Sequence, residues 1–295
     1  MQITKSGMVA VVGRPNVGKS TLTNTLAGEK VTIVSPKPQT TRNRICAVVN
    51  RDGTQFVFMD TPGFHKAHSA LGEYMSRVVR ESMDGVDAVA LMVEPVARID
   101  TPEELLIERI ASTGTPALLM INKIDTVAAE SLLEVIALYS DAHRFDAIIP
   151  LCARTGDGAQ ILLDELEKFV PEGPQLFPDG MVTDQPERVL IAEIVREKTL
   201  ILLDKEVPHG IAAEVETFNE REDGLVEVGV TIYCEKEGHK GIVIGTNGTM
   251  LKRIGERARA DMEKLLGTRV FLETWVKVRE NWRANPGQVR RFGYE

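Results

Sequence analysis

MVAVVGRPNVGKSTLTNTL, from Met8 to Leu26, opens with an apolar run, Val9 to Val12, that reads as a buried strand. It turns at Gly13-Arg14-Pro15-Asn16-Val17-Gly18-Lys19-Ser20 and continues as a helix from Thr21. This is the G-x-x-x-x-G-K-[ST] pattern of a phosphate-binding loop. Two glycines free the backbone so that its N–H groups can converge on phosphate oxygens. The following helix aims the positive end of its dipole at the same point. In such a loop Lys19 neutralises the β- and γ-phosphates and the Ser20 hydroxyl holds Mg²⁺. The stretch therefore predicts a nucleoside triphosphate site and a strand–loop–helix start to an α/β fold.

The 295 residues leave room for two domains, and 43% hydrophobic with 26% charged residues describes an ordinary globular chain. Cys46, Cys152 and Cys234 are scattered, with no metal-ligand spacing, which fits a reducing cytosol. Met1 to Gly7 does not read as a signal peptide, and no apolar run is long enough to span a bilayer. The net charge of −8 is uneven: residues 236–295 carry 13 Lys/Arg against 7 Asp/Glu, leaving 22 against 36 elsewhere. A basic end on an acidic chain points to a polyanionic partner for that end.

Downstream of the loop, Val31 to Asn43 holds Pro36 and Pro38 among polar residues and reads as a surface loop. A threonine here, Thr41 or Thr40, can close the Mg²⁺ shell when the γ-phosphate is present. Arg44 to Asn50 and Gln55 to Met59 read as a hairpin around Arg51-Asp52-Gly53. Its second strand delivers Asp60-Thr61-Pro62-Gly63. An Asp at a strand end reaches Mg²⁺ through water, and the Gly63 N–H can meet the γ-phosphate. Phe64 follows, where many regulatory GTPases place a water-orienting glutamine, so slow intrinsic turnover is expected.

Helix Leu71–Met83, strand Ala88–Val93 and a helix opened by Pro102 lead to strand Ala117–Ile121 and Asn122-Lys123-Ile124-Asp125. The Asp125 carboxylate can accept both N1–H and the 2-amino group of guanine, a donor pair adenine lacks. Asn122 braces the loop and Lys123 lies along the base. Strand Ala147–Leu151 brings Cys152-Ala153-Arg154, where the Ala153 N–H serves guanine O6 and cysteine replaces the usual serine. The alternation of strands and helices argues a mostly parallel, doubly wound sheet over residues 1–172.

The motifs GRPNVGKS, QTTR, DTPG and NKID resemble translation-factor-like GTPases with a hydrophobic residue in place of the catalytic glutamine. That resemblance implies GTP and GDP as ligands, Mg²⁺ held by Ser20, Thr41 and Asp60, and K⁺ assistance through Asn16. It makes Lys19, Thr41, Asp60 and Gly63 the hydrolytic set. Residues 173–187, with Pro174, Pro178 and Pro186, then read as an ordered, non-helical connector.

From 188 the order is helix–strand–strand–helix–helix–strand, and Val243-Ile244-Gly245-Thr246-Asn247-Gly248-Thr249-Met250-Leu251-Lys252-Arg253-Ile254 resembles the core of a type 2 KH domain, an α+β RNA-binding fold. Lys240, Ile242, Ile244, Gly245, Thr246, Asn247, Gly248, Lys252 and Arg253 are the expected RNA contacts. A GTPase domain followed by a type 2 KH domain resembles the Era family over nearly the whole chain. The resemblance implies a monomeric cytoplasmic factor for 30S subunit assembly that binds near the 3′ end of 16S rRNA and associates peripherally with the inner membrane. Two rival readings are an RNA scaffold with a structural nucleotide, which Phe64 favours, and a GTP-dependent RNA-modifying enzyme, for which no second reactive cluster is found. The residues after Trp282 read as an unremarkable tail.

Overall fold

The computed structural model describes residues 2–294. Met1 and Glu295, the outer ends of the two expected domain ranges, lie outside the described residues. Packing divides the chain into two units: Met1–Thr32, Thr41–Lys66 and Met75–Asp184 form the first, and Ile33–Thr40, Ala67–Tyr74 and Gln185–Glu295 form the second.

The first unit runs β1 (Lys5–Val12), α1 (Lys19–Ala27), β2 (Ile45–Arg51), β3 (Thr54–Asp60), α2 (Ala70–Glu81, which begins in the second unit), β4 (Ala88–Val93), α3 (Thr101–Thr113), β5 (Ala117–Ile121), α4 (Ala129–Ala142), β6 (Ala147–Pro150) and α5 (Ala159–Glu167). The sheet order is β2-β3-β1-β4-β5-β6, parallel except for the β2–β3 hairpin. Strand residues alternate between two apolar layers: Val9 and Val11 enter one, Ala10 and Val12 the other. Both faces are covered, which is why these strands read as unbroken apolar runs. Asp52 and Gly53 both take positive φ, 49° and 83°, the two-residue turn that matches strand twist. Helix α4 is not among the elements expected from the sequence, although Leu132, Val135, Ile136 and Tyr139 follow helical spacing and pack into the second layer.

The connector is stapled to the first unit through residue 184. Buried Gln55 accepts the Leu176 and Phe177 N–H groups, each at 2.8 Å, and its own amide donates to Phe177 O at 3.0 Å. Asp184 accepts the Cys46 N–H at 3.1 Å. Prolines remove donors here, so side chains supply the missing bonds.

The second unit contains α6 (Glu187–Leu202), β7 (Ala212–Glu220), β8 (Val226–Cys234), α7 (Glu237–Ile244), α8 (Thr249–Leu266), β9 (Val270–Val278) and α9 (Pro286–Arg291). Its sheet is β7-β8-β9, with β7 antiparallel and β9 parallel to β8. Val226, Val228, Val230 and Ile232 of β8 share a core with Ile194 and Val195 of α6 and with Ile254, Ala258 and Met262 of α8.

The tail is far from unremarkable. Trp282 is fully buried and its indole N–H donates to Gly210 O at 2.9 Å. Phe292 packs between Trp282 and Tyr233, each with ring centroids 5.0 Å away, and Tyr294 meets Tyr74. Short aromatic-rich segments carry no periodicity, so the sequence pattern was silent.

Trp282→Ala is expected to destabilise the second unit by about 3–5 kcal/mol. Trp282→Phe, which keeps a ring but loses the indole hydrogen bond, should cost about 1–2 kcal/mol. In both variants Trp275 of β9 is the remaining tryptophan, so its fluorescence in urea reads this unit alone.

Candidate functional site

The phosphate loop follows from its glycines. Gly13 and Gly18 have φ of 149° and 111°, and a Cβ at either would lie 2.3 Å from Met92 O or 2.1 Å from Asn122 Nδ2. No other residue fits both positions. Lys19 Nζ is buried and donates to Gly13 O at 3.1 Å and Arg14 O at 2.9 Å. Burial lowers its pKa to about 8, with the Asp60 charge opposing. The Arg14 side chain turns to the start of α3, pairing with Asp100 at 2.7 Å and with the buried Glu103. Its guanidinium therefore braces the loop, and the backbone of Arg14 to Val17, with Ser20 and Thr21 opening α1, is what the loop offers a phosphate.

Asp60 ends β3 with no exposed surface. Its Oδ2 accepts from Ser20 Oγ at 2.7 Å, Thr32 Oγ1 at 3.0 Å and Thr41 Oγ1 at 3.3 Å, and Ser20 Oγ lies 2.8 Å from Thr41 Oγ1. Oδ1 is buried without a hydrogen-bond partner. Burial raises the Asp60 pKa, opposed by the Ser20 hydroxyl, the Lys19 charge, and the Thr32 and Thr41 hydroxyls. A buried carboxylate with one orphaned oxygen and three hydroxyls on the other is an all-oxygen donor set suited to a hard dication such as Mg²⁺.

Of the two threonines left open by the sequence, Thr41 is the one at this cluster. Thr40 Oγ1 bonds Lys37 O and the Ser35 hydroxyl, each at 2.6 Å. Thr32 was not anticipated, because only the clasp by Asn24 of α1 places it. Asn24 Oδ1 accepts the Val31 and Thr32 N–H groups at 3.0 Å, and its amide donates to Thr32 O at 2.8 Å.

Beyond Asp60, the Thr61 hydroxyl donates to Val11 O at 2.7 Å, and Pro62 is buried. Gly63 sits so close to Pro15 that a Cβ would lie 2.5 Å from the proline. Phe64 N–H donates to Gly13 O at 3.0 Å, while its ring packs on the second apolar layer. The phenyl is thus partly buried against the core, and it carries no group that could hydrogen-bond a water.

The base-reading loops meet at one place. Asn122 Nδ2 donates to Val17 O at 2.7 Å and its Oδ1 accepts the Ala153 N–H at 2.8 Å. The amide the sequence assigned to guanine O6 is therefore engaged with Asn122 in this structure. Lys123 Nζ donates to Asn16 O at 2.8 Å and pairs with Glu94. The Cys152 thiol donates to Asp125 Oδ1 at 3.2 Å, and Arg154 pairs with Oδ2 at 2.9 Å. The thiol bond first, then a backbone hydrogen bond and the Arg154 charge, hold the Asp125 carboxyl below its usual range, against its desolvation. The serine-to-cysteine departure thus keeps the brace.

In the second unit, Gly245 ends α7 and Gly248 caps α8, with Thr246 and Asn247 exposed between them. Ile242 is half exposed and Ile244 partly so, beside Lys240 and the exposed Lys252 and Arg253. All nine expected RNA-contact residues thus fall in one stretch of two helices and their turn.

A family model described as a 50S ribosome-binding GTPase matches residues 8–123, and a KH domain model matches residues 206–283. The chain is 48% identical over 291 residues to the GTPase Era of Ruminiclostridium cellulolyticum, covering 99% of this chain and 98% of that one. It is 50% identical over 292 residues to the GTPase Era of Syntrophus aciditrophicus, covering 98% and 95%. Its fold matches Era crystallised with MgGDPNP and nucleotides 1506–1542 of 16S ribosomal RNA, with a TM-score of 0.95 at 39% identity over 99% of both chains. A Tyr-to-Ala variant of Aquifex aeolicus Era bound to GDP and AlF₄⁻ matches with a TM-score of 0.94 at 39% identity over 98% and 99%.

Asp125→Asn should weaken GDP binding roughly a hundredfold and favour xanthosine diphosphate, whose 2-oxo group accepts the new amide proton. Cys152→Ala should weaken GDP binding by about fivefold to tenfold, the net value of one ordinary hydrogen bond, since a thiol is a weak donor, while Cys152→Ser stays close to wild type. Fluorescent-nucleotide displacement measures all three.

Proposed function

Because the chain belongs to the Era family of GTPases, sharing about half its residues with relatives end to end, we propose that its GTP hydrolysis gates RNA binding during 30S subunit assembly. The observation that carries the GTP half is Asp60: one oxygen collects three hydroxyls and the other is buried without a partner. Mg²⁺ bound there by Ser20, Thr41 and Asp60 would offset the charge that builds on the β- and γ-phosphate oxygens.

The chain's own groups do the rest. Lys19 exchanges its two carbonyl acceptors for phosphate oxygens. The N–H groups of Asn16, Val17 and Gly18 cradle the polyphosphate, and the Gly63 amide reports the γ-phosphate. Asp125 selects guanine. Phe64 supplies no hydrogen bond to water, so turnover by the protein alone is slow, and Asn16 is the residue through which K⁺ would speed it. That same Phe64 favours a second reading, in which the nucleotide is structural and barely hydrolysed. Single-turnover assays with K⁺ and RNA separate the two.

The RNA half rests on the turn between α7 and α8. Small Gly245 and Gly248 let a sugar–phosphate backbone approach the two helix ends, Ile242 and Ile244 pack on bases, and Lys240, Lys252 and Arg253 supply charge. An Era relative was crystallised with 16S rRNA nucleotides 1506–1542, which supports single-stranded RNA near that 3′ end as the ligand. The peripheral membrane association implied by the resemblance belongs to the same reading. Among the described residues no helix is long and apolar enough to cross a bilayer.

Gly248→Asp is the selective test. Gly248 has φ of 78°, which Asp tolerates better than most residues, and open space within 4 Å. The variant should lose about tenfold or more in affinity for the 16S 3′ oligonucleotide while GTP binding stays within twofold, because a new anion meets the phosphate chain. Equal RNA affinity in the two proteins, by crosslinking or titration, would place the RNA elsewhere.

A further inference from the structure

Arg196 of α6 has no exposed surface. Burying a guanidinium is unfavourable unless its donors are matched, so its partners show what the residue is for. Glu193, one turn earlier, takes Nε at 2.7 Å and Nη2 at 2.5 Å. That pair by itself would be satisfied on the helix surface. The remaining donors point at backbone: Nη1 to Gln39 O at 3.3 Å and Nη2 to Thr40 O.

The carbonyl of Thr40 belongs to the peptide group whose nitrogen is that of Thr41. Gln39 has φ of 62°, a left-handed conformation that a non-glycine residue keeps only where its surroundings hold it. The neighbouring residues of the segment are tied to the same helix region. Val34 N–H donates to Glu197 Oε1 at 2.9 Å, and Lys37 pairs with Asp204 at 2.8 Å. Within this unit the segment 33–40 is thus pinned near its start, its middle and its end. The end pin is a planar fork that fixes direction as well as distance.

We propose that Arg196 is a positioning residue for GTP hydrolysis: it fixes the Gln39–Thr40 backbone and thereby sets where Thr41 presents its hydroxyl. The inference rests on the reading of Thr41 as the residue that completes the Mg²⁺ shell in the triphosphate state. It bears on the triphosphate state alone, since the two nucleotides share the phosphate-loop and guanine contacts and differ at Thr41 and at the Gly63 amide. GDP binding uses the phosphate loop and the guanine loops alone, whereas the triphosphate state also uses Thr41. A lysine at 196 keeps the charge against Glu193 but has no planar fork, so it holds the two carbonyls with less control of their direction.

The test uses the full chain as Arg196→Gln and Arg196→Lys, with Thr41→Ala as reference. Affinities for GDP and a non-hydrolysable GTP analogue are measured together with kcat and KM across Mg²⁺ concentrations, and thermal melts check the fold. The expected result is GDP affinity within twofold of wild type, with analogue affinity down about tenfold. The Mg²⁺ requirement rises, kcat falls by about 10–100-fold, and the lysine variant lies between. If Arg196→Gln does not fold, Arg196→Lys must still show the intermediate split. Equal changes in GDP and analogue affinity, or an unchanged kcat in a folded variant, overturn the inference. A Thr41→Ala chain that behaves as wild type would instead sink the reading of Thr41 on which it rests.

Discussion

A carboxylate buried with one oxygen unpaired is the constraint on which the first unit turns. Asp60 can sit at the end of β3 only because α1 brings Ser20, the Asn24 clasp brings Thr32, and the chain after residue 40 brings Thr41. Three hydroxyls stabilise one oxygen, and the second remains a demand for positive charge that Lys19 meets only in part. The position of the strand is secured by its neighbours, since β3 lies between β2 and β1. A buried acid in a fixed sheet is thus coupled to two loops that carry the ligand chemistry.

The second unit solves a different problem. Its three-stranded sheet buries one face against α6 and α8, and the aromatic tail closes one end around Trp282. The glycine turn between α7 and α8 carries exposed Thr246 and Asn247, with exposed Lys252 and Arg253 one turn on. Segments 33–40 and 67–74 also pack here, so residues flanking the nucleotide motifs in sequence depend on the RNA-binding half for their conformation.

Much of this was legible in the residues. The parallel strands of the first unit read as apolar runs, and GRPNVGKS, DTPG and NKID each follow the carboxyl end of one, where a parallel sheet gathers them. The choice between Thr40 and Thr41 was not legible, because adjacent threonines differ only in which way the backbone turns. The Arg14 brace on Asp100 and Glu103, the Thr32 contact and the Arg196 fork join residues far apart in sequence, and no local pattern encodes them. The tail escaped for another reason. Its stability comes from a few large rings rather than from a repeat.

The most direct measurement is the Mg²⁺ dependence of GTP-analogue affinity in the wild-type chain and in Asp60→Asn, which keeps the shape and removes the charge. Affinity is expected to climb steeply with Mg²⁺ in the wild type and to be nearly flat in the variant, at a level close to that of wild type without metal. Parallel curves for the two proteins would mean that the buried acid does not serve the cation, contradicting the role assigned to Asp60.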